Sequence, residues 1–202
     1  MAKPSWLTVS PMSGSGNGVL QNTGSVHTGR NVRTGTVTVT AAGVAQPKTY
    51  KVTQEAKPEF ISIDNGADMA AGKEGGKVTV TGKSNSEKLN FSWVGEAHNG
   101  TIASSYTAGG TSAENGEAIS GDPGASAEYN WSVEITLPAN DTVEQVDRTL
   151  KVDNGSSLSQ QIVIEQTAGD ATLSLSKEEI TLPADGSAVS VNVTSNTSWT
   201  VS

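Results

Sequence analysis

The chain contains no cysteine among its 202 residues. That absence removes disulfides, thiol nucleophiles and cysteine-based metal sites together. Histidine is almost as scarce. His27 and His98 stand far apart in Gly/Ser/Thr/Asn-rich surroundings that read as solvated loops, so there is no material for a histidine triad or a zinc site. Aromatics make up 4% of the chain, and the 13 Lys and Arg form no dense cluster interleaved with stacking rings, so nucleic acid is not an expected partner. No apolar run approaches the roughly 20 residues that span a bilayer. The N-terminal Met1-Ala2-Lys3-Pro4-Ser5-Trp6 has neither the apolar core of a secretory signal nor a lipobox cysteine.

Carboxylates are plentiful, but pairs such as Glu178-Glu179 or Asp64 with Asp68 carry no mark of the opposed, unequal carboxyls that glycoside hydrolysis requires. No Asp-x-Asp-x-Asp-Gly calcium loop occurs, and Asp153-Asn154-Gly155 reads as a hairpin turn. No catalytic residue, metal ligand or cofactor site is therefore assigned, and the chain is expected to be non-enzymatic.

The pattern that is present is β-structure. Thr34-Gly35-Thr36-Val37-Thr38-Val39-Thr40 alternates with period two, and Lys48–Gln54 follows after a turn as the second arm of a hairpin. The arrangement returns in Arg148–Asp153, the turn signal Asn154-Gly155, and Gln161–Gln166. Val52-Thr53-Gln54-Glu55-Ala56 and Ile164-Glu165-Gln166-Thr167-Ala168 are equivalent endings. Equivalent beginnings run from Phe60-Ile61-Ser62-Ile63 through Val78-Thr79-Val80 and Ser84-Asn85 to Trp93. The matching run is Thr172-Leu173-Ser174-Leu175, Val189-Ser190-Val191-Asn192-Val193, Ser195-Asn196 and Trp199. The repeat divides the chain into a second half of a sandwich (1–57), a complete sandwich (58–168) with a long insertion at 95–128, and a first half (169–202).

The fold class expected is all-β, with tandem sandwiches, one complete and one split between the two ends of the chain. A half sandwich leaves its core face and sheet edges uncovered, so each half is expected to need its counterpart. The counterpart is either in the same chain or in a neighbouring copy, arranged head-to-tail or as a ring; a fragment of a longer repeat array is the remaining alternative. The residues expected to meet are Trp6, Leu7, Val9, Val37, Val39 and Val52 from the first segment. From the last they are Leu173, Leu175, Val189, Val191, Val193, Trp199 and Val201. Charge favours the encounter. Residues 1–57 set six Lys and Arg against Glu55 alone, net +5, while residues 169–202 set Lys177 against four acids, net -3. Within the insertion, Thr101, Ile102 and Tyr106 form a candidate partner loop, with Tyr106 the one aromatic expected at the surface. The four tryptophans are assigned to packing.

Ser-Asn-x-Ser-Trp, Ser-Trp-Leu-x-Val-Ser-Pro-x-Ser-Gly, Arg33–Val39 and the closing Val52-Thr53-Gln54-Glu55 together resemble the BACON family. That family comprises immunoglobulin-like sandwich repeats of Bacteroidetes surface proteins and their phages. The resemblance implies a structural component of a crAss-like bacteriophage, most directly an auxiliary or decoration protein of the capsid. Its partners would be copies of itself and other virion or capsid proteins, its place the virion, and its site of synthesis the host cytoplasm. The alternative that the family implies is a secreted or surface module that binds glycans or mucin.

Overall fold

The computed structural model describes residues 3–95 and 100–202. Two hairpins come first, β1 (Leu7–Ser10) with β2 (Gln21–Gly24), and β3 (Arg33–Val39) with β4 (Lys48–Gln54). Then follow β5 (Ile61–Ile63), β6 (Asp68–Ala71), β7 (Gly76–Ser84), β8 (Asn90–Val94), β9 (Thr101–Ile102), β10 (Ser105–Ala108) and β11 (Thr111–Glu114). One helical turn, α1 (Pro123–Ser126), leads into the long strands β12 (Tyr129–Leu137), β13 (Val146–Asp153) and β14 (Ser159–Gln166). A last hairpin pairs β15 (Leu173–Leu175) with β16 (Val193–Ser195).

Strands β5 to β14, between Ile61 and Gln166, build a complete sandwich. One sheet has the order β11-β10-β12-β7-β5 with β9 also on β12, and the other has β6-β14-β13-β8. Dropping the added β9 and β11, this is the ABED and CFG arrangement of immunoglobulin sandwiches, with β6 parallel to the last strand. The strand pattern explains it. In β12 the odd positions Tyr129, Trp131, Val133, Ile135 and Leu137 are all buried, while four even positions between them are polar. They meet Leu150, Val152, Ile162 and Ile164 from the second sheet in one continuous core. Trp131 sits opposite Gly82 on β7. A Cβ at Gly82 would stand 2.4 Å from the Trp131 ring and 2.0 Å from the Ser62 carbonyl oxygen, so only glycine lets the indole lie there.

Residues 100–128 are not a loose excursion. They supply β9, β10, β11 and α1, and two of these strands close the edge of β12 opposite β7. The expected partner loop at Thr101, Ile102 and Tyr106 is therefore corrected. Thr101 and Ile102 are laddered to Thr136 and Ile135. Tyr106 is 3% exposed, its ring centroid 5.1 Å from Phe91 and its hydroxyl oxygen accepting from the Leu89 amide at 3.0 Å. The physical reason is alternation: Tyr106 and Ala108 point inward on a strand whose intervening residues are Ser and Thr. Burial pushes the Tyr106 phenol pKa up. His98 lies outside the described residues. His27 is in an open loop with Nε2 2.7 Å from the Asn31 carbonyl.

The N-terminal segment buries Leu7, Val9 and Val37, with Trp6, Tyr50 and Val52 packed around them. Val39, expected inside, is 43% exposed at the far end of β3. The inward positions of β1 are Leu7 and Val9, and Trp6 sits in the turn before the strand with the Arg33 guanidinium 4.7 Å from its ring. Across 169–202 almost nothing is covered: Leu173, Leu175, Trp199 and Val201 are 64%, 55%, 51% and 87% exposed. Trp199 is thus not spent on packing. Closure within one chain, one of the two expected routes, is absent among the described residues: β15 and β16 pair only with each other, and no ladder joins them to β1–β4.

Candidate assembly interface

The last hairpin is built as the opening of the complete sandwich is built. Leu173 pairs with Ser195 and Leu175 with Val193, the register in which Ile61 pairs with Ser84 and Ile63 with Gly82. The Ser84 hydroxyl donates to the Phe60 carbonyl at 2.9 Å and accepts from the Ser86 amide at 2.9 Å. The Ser195 hydroxyl likewise donates to the Thr172 carbonyl at 2.7 Å and accepts from the Thr197 amide at 3.2 Å.

Beside each serine stands an asparagine that ties its unit to the preceding one. Asn85 is fully buried. Its Oδ1 accepts from the Phe60 amide at 2.9 Å, and its Nδ2 faces the carbonyls of Thr28, Pro58 and Lys57 at 3.2, 3.3 and 3.4 Å. Asn196 does the same one unit later. Its Oδ1 accepts from the Thr172 amide at 2.8 Å, and its Nδ2 donates to the carbonyls of Asp170 at 2.8 Å and Asp141 at 2.9 Å. Both asparagines are polar spacers in sequence terms. The only signal that singles them out is the recurrence of Ser-Asn at one fixed place in the repeat.

The two joints differ in what surrounds the asparagine. At the first, the segment leading into β12 covers the joint. The Arg30 and Asn31 amides donate to the Gly124 and Ala125 carbonyls at 2.9 and 3.1 Å, and Gly29 packs so closely that a Cβ would lie 2.4 Å from the Ser126 backbone. Arg30 clamps Asp122 with both terminal nitrogens, one at 2.6 Å, and its Nη1 also donates to the Asn85 carbonyl at 3.1 Å. Lys57 donates to Glu128 at 2.9 Å. At the second joint no such segment is present, and a cavity of about 390 Å³ remains, lined by Lys73, Glu74, Asn140, Asp141, Asp170 and Asn196 among others. Lys73 forms an ion pair with Asp170 across its mouth.

The hydrogen bond from Lys57 holds the Glu128 carboxyl below its usual pKa range. A carboxylate depressed in the folded state stabilises above its unfolded pKa of about 4.3, and that contribution is lost as the pH falls through the lower, folded value. Urea titrations of the wild type and Glu128→Gln should therefore differ at neutral pH and converge between roughly pH 5 and pH 3. A difference that persisted unchanged at pH 3 would show that the Lys57–Glu128 contact does not act through charge.

No protein-family model matches the chain, and no curated protein matches it. Among solved structures, the S-layer protein SbsC is similar over its domains 4 and 5, at 16% identity and a TM-score of 0.39, covering 74% of this chain and 62% of that one. Zebrafish RET cadherin-like domains 1 to 4 are similar at 10% identity and a TM-score of 0.38, covering 70% and 35%. A Bacteroides ovatus GH5 xyloglucanase is similar at 15% identity and a TM-score of 0.35, covering 61% and 21%. The chain spans less than two thirds of the length of each. Likeness at this level says nothing of what the chain binds or does.

Of the residues expected at the interface, Leu7, Val9 and Val37 lie together in the small N-terminal core with Trp6 and Val52 against it. Leu173, Leu175, Trp199 and Val201 are open to solvent, and Val189, Val191 and Val193 are half-buried on one face of the last hairpin. No ladder joins the two groups among the described residues. Among the described residues no three His, Asp or Glu gather as a metal-binding group, and no helix is long and apolar enough to cross a membrane.

Proposed function

We propose that this chain is a non-enzymatic structural protein that assembles with copies of itself through immunoglobulin-like units. The observation that carries the reading is the last hairpin. Its serine and asparagine ties repeat those of the complete sandwich, yet Leu173 and Leu175 on it and Trp199 and Val201 after it face solvent. Exposed apolar clusters of this kind mark association surfaces. The resemblance to BACON repeats in Bacteroidetes phages supports placing the assembly in a virion, as an auxiliary or decoration component of a capsid. Its action there is mechanical: strand pairing and apolar burial between neighbours reinforce a shell. The glycan-binding alternative, which the same resemblance implies, loses Tyr106 as a surface ring, because that ring is in the core.

Light scattering across a concentration series tests the reading. Multiples of the 20.7 kDa chain mass are expected at micromolar concentration, and a chain truncated after Ala168 should scatter as a monomer. A full chain that stays monomeric at every concentration would end the self-assembly reading. Detection of the chain in purified particles by mass spectrometry, and its position by electron microscopy, tests the virion part.

A further inference from the structure

The strand edges say which surfaces of two copies fit. The Ser25 amide donates to the Trp6 carbonyl at 2.8 Å, and β1 pairs Thr8 with Thr23 and Ser10 with Gln21. In an antiparallel pair bonding residues alternate, so Trp6, Thr8 and Ser10 bond toward β2 while the backbones of Leu7 and Val9 point to the opposite edge. No strand lies on that edge among the described residues. The Leu7 amide instead closes a turn onto the Pro4 carbonyl at 3.2 Å, and the Leu7 carbonyl is capped by the Lys3 ammonium.

Chirality identifies the free edge. For L-residues, once strand direction and face are set, the side to which inward residues turn their amides and carbonyls is set too. In β12 the outward residues Asn130 and Glu134 accept from Gly109 and Ala103 on one side, at 2.9 and 3.0 Å, so the buried residues 131–137 bond to β7 on the other. The buried residues of β1 face its free edge. That edge is therefore the one β7 fills in the complete sandwich.

The segment matching β7 is residues 187–195, of which Val193–Ser195 (β16) is strand, and its corresponding edge carries no strand among the described residues. The Asn192 carbonyl accepts from the Ser176 amide at 2.9 Å, and its amide donates to the Ser176 hydroxyl at 2.8 Å. The backbones of Val191 and Val193 consequently point away from β15, toward an edge with no strand among the described residues. We propose that residues 187–195 of one copy add to the free edge of β1 in a second copy, with Leu7 opposite Val193, Thr8 opposite Asn192 and Val9 opposite Val191. The proposal rests on the self-assembly reading and specifies its contact.

Size and charge fit this register. In the complete sandwich a large residue faces a small one, Trp131 against Gly82. At the places that match them stand Leu7 and Val193, smaller against larger, so the pair volume is kept closer than either change alone would allow. The second sheet offers a parallel vacancy: β3 pairs only with β4, whereas its counterpart β13 also pairs with β8, setting Trp93 opposite Leu150. Trp199 is the exposed residue that matches Trp93. Displaced from Leu7, Lys3 lies in the segment leading into β1. The corresponding segment of the complete sandwich covers the first joint, and the uncovered second joint is lined by Glu74, Asp141 and Asp170 against the single cation Lys73, which pairs with Asp170. The occupant is thus a second copy, whose basic N-terminal segment meets an acidic socket.

The chain has no cysteine, so an introduced pair reports without background. Thr8 and Asn192 would form a non-hydrogen-bonded pair with Cα atoms about 4.5 Å apart, within disulfide reach. The full chain carrying Thr8→Cys and Asn192→Cys should give, on mild oxidation, a ladder of covalent dimers and higher species. Thr8→Cys with Ser174→Cys, on the wrong edge of the hairpin, should not. Val191→Pro is the second variant. It removes an amide that only the assembled state uses, and proline is tolerated on a free edge, so the circular dichroism spectrum should be unchanged while association weakens at least tenfold. A crosslink closed within one chain overturns the second copy as occupant. Multimers by light scattering without the Thr8–Asn192 crosslink, or undiminished in Val191→Pro, overturn the edge assignment and leave the self-assembly reading standing. Monomers throughout overturn both.

Discussion

Replacing Trp131 by alanine should destabilise the complete sandwich by about 3–5 kcal/mol, enough to unfold a large fraction of molecules in a domain of ordinary stability. Trp131 is 2% exposed and lies across Gly82, with its ring centroid 5.4 Å from that of Phe91. Truncation leaves a void bounded by a glycine, which has no side chain with which to collapse into it. Filling from the glycine side should not rescue: in the Trp131→Ala background a Cβ at position 82 still stands 2.0 Å from the Ser62 carbonyl oxygen, so Gly82→Val is expected to add to the loss. Gly82→Val alone should be destabilising, since even a Cβ meets the indole and the Ser62 carbonyl. Trp131→Phe should cost much less than alanine, because the indole N–H has no hydrogen-bond partner to lose. Urea denaturation followed by tryptophan fluorescence and circular dichroism reads all four. Equal losses for alanine and phenylalanine would show that ring volume is not what Trp131 contributes.

Asparagine 85 gives the second large effect. Asn85→Ala leaves the Phe60 amide and the Thr28, Lys57 and Pro58 carbonyls without the side chain that joins them. At about 1–3 kcal/mol for each buried group left unsatisfied, with water recovering part, the expected loss is on the order of 3 kcal/mol. Asn196→Ala breaks the matching bonds at a partly solvated joint, where water can replace them, so in the monomer it should cost no more than about 1 kcal/mol. Closing that joint against a second copy should raise the cost of Asn196→Ala toward that of Asn85→Ala. Measuring both variants below and above the association concentration separates the two cases. Equal costs for the two in the monomer would mean that burial of the joint contributes nothing.

The fold class and the main hairpins were legible because alternation of apolar and polar residues is dense there. Arg148–Asp153 and Gln161–Gln166 lie opposite each other on β13 and β14, and β12 reads as a buried strand from Trp131, Val133, Ile135 and Leu137 alone. Between Trp93 and Trp131 the pattern fails as a guide. Its strands are two to four residues long and rich in Ala, Ser and Thr, and the inward Ala108 and Ala113 carry little apolar signal. Tyr106 was misjudged for that reason. A lone aromatic among small polar residues looks exposed until the strand beneath it is known. The joints were legible only as a recurring dipeptide. Their bonds run to main-chain carbonyls, and the partners of such bonds leave no trace in side-chain composition.

A tie that touches only main-chain atoms of its neighbour places no demand on the neighbour's side chains. Thr28, Lys57 and Pro58 at one joint correspond to Asp141 and Asp170 at the other, with no chemistry in common, and the same amide satisfies both. Successive units can therefore drift in surface character, basic in one and acidic in the next, without loosening the string. The serine-asparagine dipeptide is the part of the coupling that the two joints share, and it makes these units interchangeable at that point.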